Sequence, residues 1–129
     1  MKIGFIGLGN VGRKLAGSLL RNKFELTVRD LEKNITSDFI NKGAKTTNSA
    51  KELAERVDLI ITCLPSPQIC SEVMEAKDGV INGLSKNKIW LEMSTTDESE
   101  VKRLGKLVKE KGVISLDGPV SGGCHRAAT

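Results

Sequence analysis

Aromatic side chains are scarce in this sequence of 129 residues, which has 3 Phe, 1 Trp and no Tyr. Few rings are therefore present on which the bases of a nucleic acid could stack. The net charge of +4 comes from basic residues spread along the chain. Between positions 102 and 111 they alternate with apolar residues on a predicted helix, which is typical of a solvated face. We expect no nucleic-acid partner.

Cysteine and histidine are also too few for a disulfide framework or a metal centre. The 3 Cys are Cys63, Cys70 and Cys124, an odd count without short paired spacings that suits free thiols in a reducing compartment. The single His, His125, adjoins Cys124, and two neighbouring side chains do not bind a metal without further ligands nearby. We expect no metal.

Long hydrophobic runs are absent, and stretches such as 59–61 are far too short to cross a bilayer. Met1 leads straight into an apolar strand pattern, without the succession of segments that marks a signal peptide. The sequence thus predicts no membrane partner and a cytoplasmic location. A protein of the mitochondrial matrix whose leader has been removed would show the same features.

Strand and helix patterns alternate along the whole chain. Apolar runs predict strands over 2–6, 25–29, 44–47, 58–64, 89–93 and 113–116. Helical spacing predicts helices over 11–20, 35–42, 50–56, 68–75 and 97–111. Strands separated by single helices give a parallel sheet covered on both faces. The prediction is a doubly wound α/β Rossmann domain, with residues 1–129 forming a single domain.

The segment Gly7-Leu8-Gly9-Asn10-Val11-Gly12 matches the dinucleotide fingerprint Gly-x-Gly-x-x-Gly, directly after a strand and at the start of a helix. Gly7 permits the tight turn, Gly9 lets the backbone approach a pyrophosphate, and Gly12 allows close packing of helix and strand. The pyrophosphate would lie against free N–H groups at the helix N-terminus. A merely flexible turn is the alternative, and the acidic residue that follows at the expected offset argues against it.

That acidic residue is Asp30, at the end of the second predicted strand. Its carboxylate can accept hydrogen bonds from the adenosine ribose, and it would repel the 2′-phosphate of NADP. Leu31 supplies no compensating charge, and strand alternation predicts that Arg29 points to the opposite face. The cofactor predicted is NAD. A turn or helix-capping aspartate remains the alternative for Asp30.

Four segments together resemble the N-terminal portion of the β-hydroxyacid dehydrogenase family, which includes 3-hydroxyisobutyrate dehydrogenases and has a 6-phosphogluconate dehydrogenase-like NAD-binding domain. They are residues 4–12, Leu64-Pro65-Ser66-Pro67-Gln68, Glu92-Met93-Ser94-Thr95-Thr96 and Asp117-Gly118-Pro119-Val120-Ser121-Gly122-Gly123. Val11 stands where Met is usual in the family, and the loop after Pro65 is one residue shorter. Residues 124–126 depart from the family's small-residue continuation, which leaves the identity of the substrate open.

The resemblance also implies roles for individual residues. Leu64 and Pro65 would pass beside the nicotinamide-side ribose, with Gln68 as a further contact, and Thr95 would seat the nicotinamide. Ser121, Gly122 and Gly123 would hold the carboxylate of a small substrate. An N-cap at 94–96 and an ordinary turn at 121–123 are the alternatives for the last two segments.

By the same resemblance, the whole protein would transfer a hydride between NAD and a small 3-hydroxy acid. The catalytic lysine would lie beyond Thr129, in a helical domain that would also form a homo-oligomer. We therefore expect no catalytic residue in this chain, and no turnover by the chain alone. A non-catalytic scaffold and an imine reductase-like oxidoreductase remain alternative functions.

Overall fold

The computed structural model describes residues 1–93 and 98–117, which fold around a six-stranded, all-parallel sheet. The strands are β1 (Lys2–Ile6), β2 (Glu25–Arg29), β3 (Lys45–Thr46), β4 (Leu59–Thr62), β5 (Ile89–Glu92) and β6 (Ile114–Asp117). The helices are α1 (Asn10–Arg21), α2 (Lys33–Asn41), α3 (Ala50–Arg56), α4 (Pro67–Glu75) and α5 (Glu98–Lys109). A short 3₁₀ helix spans Val80–Gly83. The predicted Rossmann fold is confirmed.

The strand order β3-β2-β1-β4-β5-β6 determines where a ligand can bind. The chain builds outward from β1 to β3 and then crosses back to place β4 on the other side of β1. Ile6 pairs with Arg29 on one side and with Thr62 on the other, so β1, β2 and β4 end at one level. Open α/β sheets bind ligands outside the carboxyl ends of their strands, at the position where the order reverses. Here that position lies between β1 and β4.

Each face of the sheet has its own hydrophobic core. Trp90 of β5 is fully buried on one face, in a cluster that includes Leu53 of α3 and Leu104 of α5. Phe5 and Val28 are fully buried on the other face, among the side chains of α1 and α2. Such strands, apolar on both faces, require a parallel sheet sandwiched between helices, as the sequence pattern predicted.

Apart from shifts of one or two residues at the ends of other elements, two features differ from the sequence-based prediction. The fourth strand was expected to run to Leu64 and to stop at Pro65, but β4 ends at Thr62. Its neighbour β1 ends at Ile6, so the bond from the Cys63 N–H to the Ile6 carbonyl is the last one that β1 can offer. The 3₁₀ helix was not predicted, because four residues are too few for a helical period to show.

None of the helices among the described residues is long and apolar enough to cross a membrane.

Candidate functional site: a cavity at the carboxyl ends of the strands

The turn between β1 and α1 depends on Gly7. Its φ of +103° is one that L side chains rarely adopt, and a Cβ there would lie 2.2 Å from the carbonyl oxygen of Cys63. The Gly7 N–H donates to the Arg29 carbonyl at 3.1 Å. The turn is therefore wedged between the ends of β2 and β4, and only glycine fits.

The other two glycines of the motif stand in opposite surroundings. A Cβ on Gly12 would lie 2.0 Å from the carbonyl oxygen of Gly7, so α1 packs against the turn with no room for a methyl group. A Cβ on Gly9 would have no atom within 4 Å. Gly12 thus serves packing, whereas Gly9 presents bare backbone to open space.

Helix α1 begins beside Gly9 without a capping side chain. Gly9 is the N-cap residue, and the first turn of the helix contains no acidic residue. The first N–H groups of a helix have no partner within the helix, and its N-terminus carries a partial positive charge. The Arg13 guanidinium adds a full charge nearby, where its Nη2 donates to the Asn10 side chain at 2.6 Å. These features favour a bound anion.

Asp30 connects the end of β2 to the glycine turn. Its Oδ2 accepts from the Leu8 N–H at 2.6 Å, and its Oδ1 accepts from the Glu32 N–H at 2.9 Å. Asp30 is therefore a turn aspartate, which was the alternative interpretation of this residue. An ionised carboxylate has about four acceptor positions, so two remain for the hydroxyl groups of a ribose.

These elements open into a cavity of about 810 Å³, which is within the usual range for small-molecule and cofactor sites. It is lined by Ile6, Gly7, Gly9, Asn10, Val11, Gly12, Arg29, Asp30, Leu31, Ala50, Cys63, Leu64, Pro65, Ile69, Glu72, Val73 and Met93. Eight of the cofactor-binding residues predicted from sequence are thus brought together around one space.

Two further residues of the prediction are placed differently, and two groups lie outside the described residues. Leu8 has a fully buried side chain in the core, so it brings only its backbone to the site. Gln68 is exposed near the start of α4 and is not among the residues that line the cavity. Thr95 and residues 121–123, the predicted nicotinamide and carboxylate contacts, lie outside the described residues, so their roles stay predictions.

Arg29 was expected to point away from the site, and it nevertheless lines the cavity. Its Nη1 donates to the Thr47 carbonyl at 2.6 Å. Strand alternation does put Arg29 on the face opposite to Val28, but the cavity opens at the strand end and extends over that face as well. A long side chain on the last residue of a strand can therefore reach a ligand from either face.

The wall formed by α4 was also missed. Ile69, Glu72 and Val73 line the cavity from one side of this helix. Their spacing of three and four residues is the available signal, because positions i, i+3 and i+4 share a helix face.

A buried polar network involves residues adjacent in sequence to Cys63, Ile69 and Met93, which line the cavity. The Trp90 Nε1–H donates to the Thr62 hydroxyl at 3.0 Å, and that hydroxyl donates to Glu92 Oε2 at 2.7 Å. The Cys70 thiol donates to the same carboxylate oxygen at 3.1 Å. These bonds tie the ends of β4 and β5 to α4, which is the helix that forms the missed wall.

The described cysteines are not activated nucleophiles. Burial, together with the nearby Glu92 carboxylate, raises the pKa of the Cys63 thiol and, more strongly, that of Cys70. Both thiols therefore stay protonated near neutral pH, whereas the thiolate is the reactive form. Within residues 1–93 and 98–117 there is also no group of three metal-ligating side chains.

Comparison with known proteins agrees with this geometry. The family described as the NAD-binding domain of 6-phosphogluconate dehydrogenase matches residues 2–129. The chain belongs to this family. It is 36% identical over 125 residues to the mitochondrial 3-hydroxyisobutyrate dehydrogenase of Mus musculus, covering 97% of this chain and 37% of that protein. It is 32% identical over 127 residues to the 2-(hydroxymethyl)glutarate dehydrogenase of Eubacterium barkeri, covering 98% and 42%.

A solved structure gives the same result. The 3-hydroxyisobutyrate dehydrogenase of Salmonella typhimurium superposes with a TM-score of 0.90 at 26% identity, over 99% of this chain and 45% of that one. The chain thus spans less than half the length of these relatives. The resemblance to the β-hydroxyacid dehydrogenases is confirmed, and the chain is an NAD(P)-binding domain of that family of oxidoreductases.

Proposed function

We propose that this domain holds NAD for an oxidoreductase that transfers a hydride between NAD and a small 3-hydroxy acid such as 3-hydroxyisobutyrate. The observation that carries the proposal is the bare backbone at Gly9 beside an uncapped helix N-terminus, with Asp30 hydrogen-bonded to the same turn. A pyrophosphate needs the first feature, and an adenosine ribose needs the second.

The described residues fit the pyrophosphate and the two riboses of a dinucleotide. The N–H groups at the start of α1 would bind the pyrophosphate, and Asp30 would bind the adenosine ribose through its remaining acceptor positions. Leu64 and Pro65 lie across the cavity at the end of β4 and would border the nicotinamide-side ribose. When bound, the cofactor supplies the ring that accepts or donates the hydride. The domain's own part is to bind this cofactor, orient it and exclude water from one side of it.

The charges around the cavity favour NAD over NADP. Asp30, which would hold the adenosine ribose, lines it, and like charges about 4 Å apart repel by on the order of 4 kcal/mol at a surface-like dielectric, before screening by salt. Arg29 offsets part of this repulsion, but one of its nitrogens is already bound to the Thr47 carbonyl. We expect at least a tenfold preference for NAD, which corresponds to about 1.4 kcal/mol.

Leu31 provides the test of cofactor choice. Its side chain is 92% exposed, so replacing it should change stability by no more than about 0.5 kcal/mol. Leu31→Arg adds a guanidinium beside the 2′ position and should raise NADP affinity about tenfold, which largely removes the preference. The control Leu31→Gln adds a polar side chain without charge and should leave the preference unchanged.

Isothermal titration of the three proteins with both cofactors measures these affinities. NADP binding to the unmodified chain as tightly as NAD would contradict the assignment of NAD. Asp30→Asn is a poorer test, because an amide nitrogen cannot accept the N–H bond that one of the two carboxylate oxygens now receives.

We propose that the general acid or base of the reaction lies outside the described residues of this chain. A general acid or base typically contributes about 10²–10⁴-fold to the rate, and the family resemblance puts the lysine for this role beyond Thr129. We propose that the chain binds NAD without reducing it when 3-hydroxyisobutyrate is added. Steady formation of NADH by the purified chain would show that a catalytic residue lies within it.

A further inference from the structure

The α4 wall of the cavity carries an unused hydrogen-bond acceptor. Glu72 lines the cavity between Ile69 and Val73. Among the described residues, its carboxylate has no hydrogen bond and no ion pair. By contrast, Glu75 of α4 and Glu100 of α5 both pair with Arg103.

Apolar side chains line the cavity beside Glu72, and we call this part of the cavity the slot. Ile69 and Val73 are half-buried on the α4 side, and Leu31 stands 92% exposed at the end of β2. An apolar side chain so exposed at the mouth of a cavity loses contact with water when a ring covers it. Ala50, at the start of α3, completes the apolar lining.

Under the proposed function, on which this inference rests, the ring in this slot is adenine. Asp30 holds the adenosine ribose, and Leu31 is the next residue along the chain, so the base extends from the ribose toward Leu31 and the α4 wall. Adenine offers a 6-amino group, which is a donor, at the edge away from the ribose. A free carboxylate can only accept hydrogen bonds.

We propose that Glu72 recognises the base by accepting a hydrogen bond from the 6-amino group of adenine. Neither of the other charged residues lining the cavity can do this. Arg29 has only donors, and the two acceptor positions that remain on Asp30 are used by the adenosine ribose under the proposed function. Hypoxanthine has a carbonyl in place of the amino group, so a cofactor containing it turns an acceptor toward Glu72 and loses affinity.

The test compares NAD with nicotinamide hypoxanthine dinucleotide, which differs only in that base. By isothermal titration, the unmodified chain should bind NAD about tenfold more tightly, as expected for one hydrogen bond to a charged but solvent-accessible group. In Glu72→Gln, the carboxamide can accept from adenine or donate to hypoxanthine, so the ratio of the two affinities should fall to about twofold or less. Glu110→Gln, an exposed glutamate outside the cavity, should keep the full ratio.

The outcomes separate this inference from the proposed function. Equal binding of both dinucleotides to the unmodified chain overturns the role of Glu72 and leaves NAD binding intact. A preference for NAD that persists in Glu72→Gln also overturns it, because another group would then be reading the base. If the unmodified chain binds neither dinucleotide, the proposed function is wrong, and the adenine contact that depends on it is wrong as well. The comparison on the unmodified chain does not depend on how well any variant folds.

Discussion

Gly9 and Gly12 lie three residues apart in the same motif, and we expect the same substitution to have opposite effects at the two positions. In Gly12→Ala, the new Cβ would lie 2.0 Å from the carbonyl oxygen of Gly7, which is backbone and cannot turn aside. Overpacking of this kind typically costs about 1–3 kcal/mol, because the helix must shift away from the turn. For a chain of this size, such a loss lowers Tm by roughly 3–15 °C.

Gly9→Ala meets none of these obstacles. Its Cβ has no atom within 4 Å, and its φ of −69° suits any residue. Alanine is a poorer N-cap than glycine by several tenths of a kcal/mol, and the reduced freedom of the unfolded chain returns a similar amount. The Tm of Gly9→Ala should therefore stay close to that of the unmodified chain.

Cofactor binding should respond in the reverse sense. The methyl group of Gly9→Ala occupies the space through which the pyrophosphate approaches the N–H groups of α1. Losing a charge-assisted hydrogen bond costs about 1.5–3 kcal/mol, so NAD affinity should fall at least tenfold in a protein that remains fully folded. Thermal unfolding and isothermal titration on both variants give the two readouts. A Gly9→Ala variant that binds NAD normally would refute the assignment of the turn as the pyrophosphate site.

Two further predictions concern the framework around the site. Thr62→Val removes the hydroxyl that joins the Trp90 indole N–H to Glu92, and leaving a buried donor without a partner should lower the free energy of unfolding by about 1–3 kcal/mol in urea titrations. The second prediction concerns thermal stability at low pH. The hydrogen bond from Arg103 is the main reason that the pKa of Glu100 is lowered to about 2 from its usual 4.5. This carboxylate therefore contributes stability above about pH 4.5, and that contribution is lost as the pH falls toward 2; Arg103→Gln should show a smaller loss of Tm on acidification.

Matched controls make both results interpretable. Thr36→Val removes a hydroxyl whose only described bond is to the Glu32 carbonyl on the surface, and it should leave the free energy of unfolding nearly unchanged. Lys102→Gln removes a basic side chain of the same helix that pairs with the exposed Glu98 instead, so it should keep the acid dependence of the unmodified chain. An equal effect of Thr62→Val and Thr36→Val would show that the buried network adds nothing to stability.

The fold could be predicted because local and long-range requirements coincide in this sequence. The predicted bounds of the strands at 2–6 and 25–29 agree with the structure. Each is an apolar run with a clear end in the sequence, the first at the glycine turn and the second at Arg29 and Asp30. The end of β4 was misplaced because it is determined by where β1 ends. The last residue of β4 therefore depends on a neighbouring strand and cannot be predicted from residues 58–64 alone.

The candidate site was predictable only where a motif fixes the backbone. The three glycines and Asp30 follow from the geometry of a turn that every dinucleotide fold shares. Arg29, Glu72 and the half-buried residues of α4 depend instead on how a helix packs across the strand ends. Leu8 shows the opposite error. Its place in the motif suggested a side-chain contact with the cofactor, but its side chain is buried in the core.

The most direct test of the central claim is to titrate an isotope-labelled chain with NAD and follow its backbone amide signals by NMR. We expect the signals of residues 9–12 and of Asp30 to move, while those of Lys23 and Gly43, at the opposite edge of the sheet, stay in place. A second, smaller cavity lies between α1 and α2 and is lined in part by Leu20 and Phe39. Shifts confined to that groove, or no shifts at all with excess NAD, would contradict a cofactor site at the carboxyl ends of the strands.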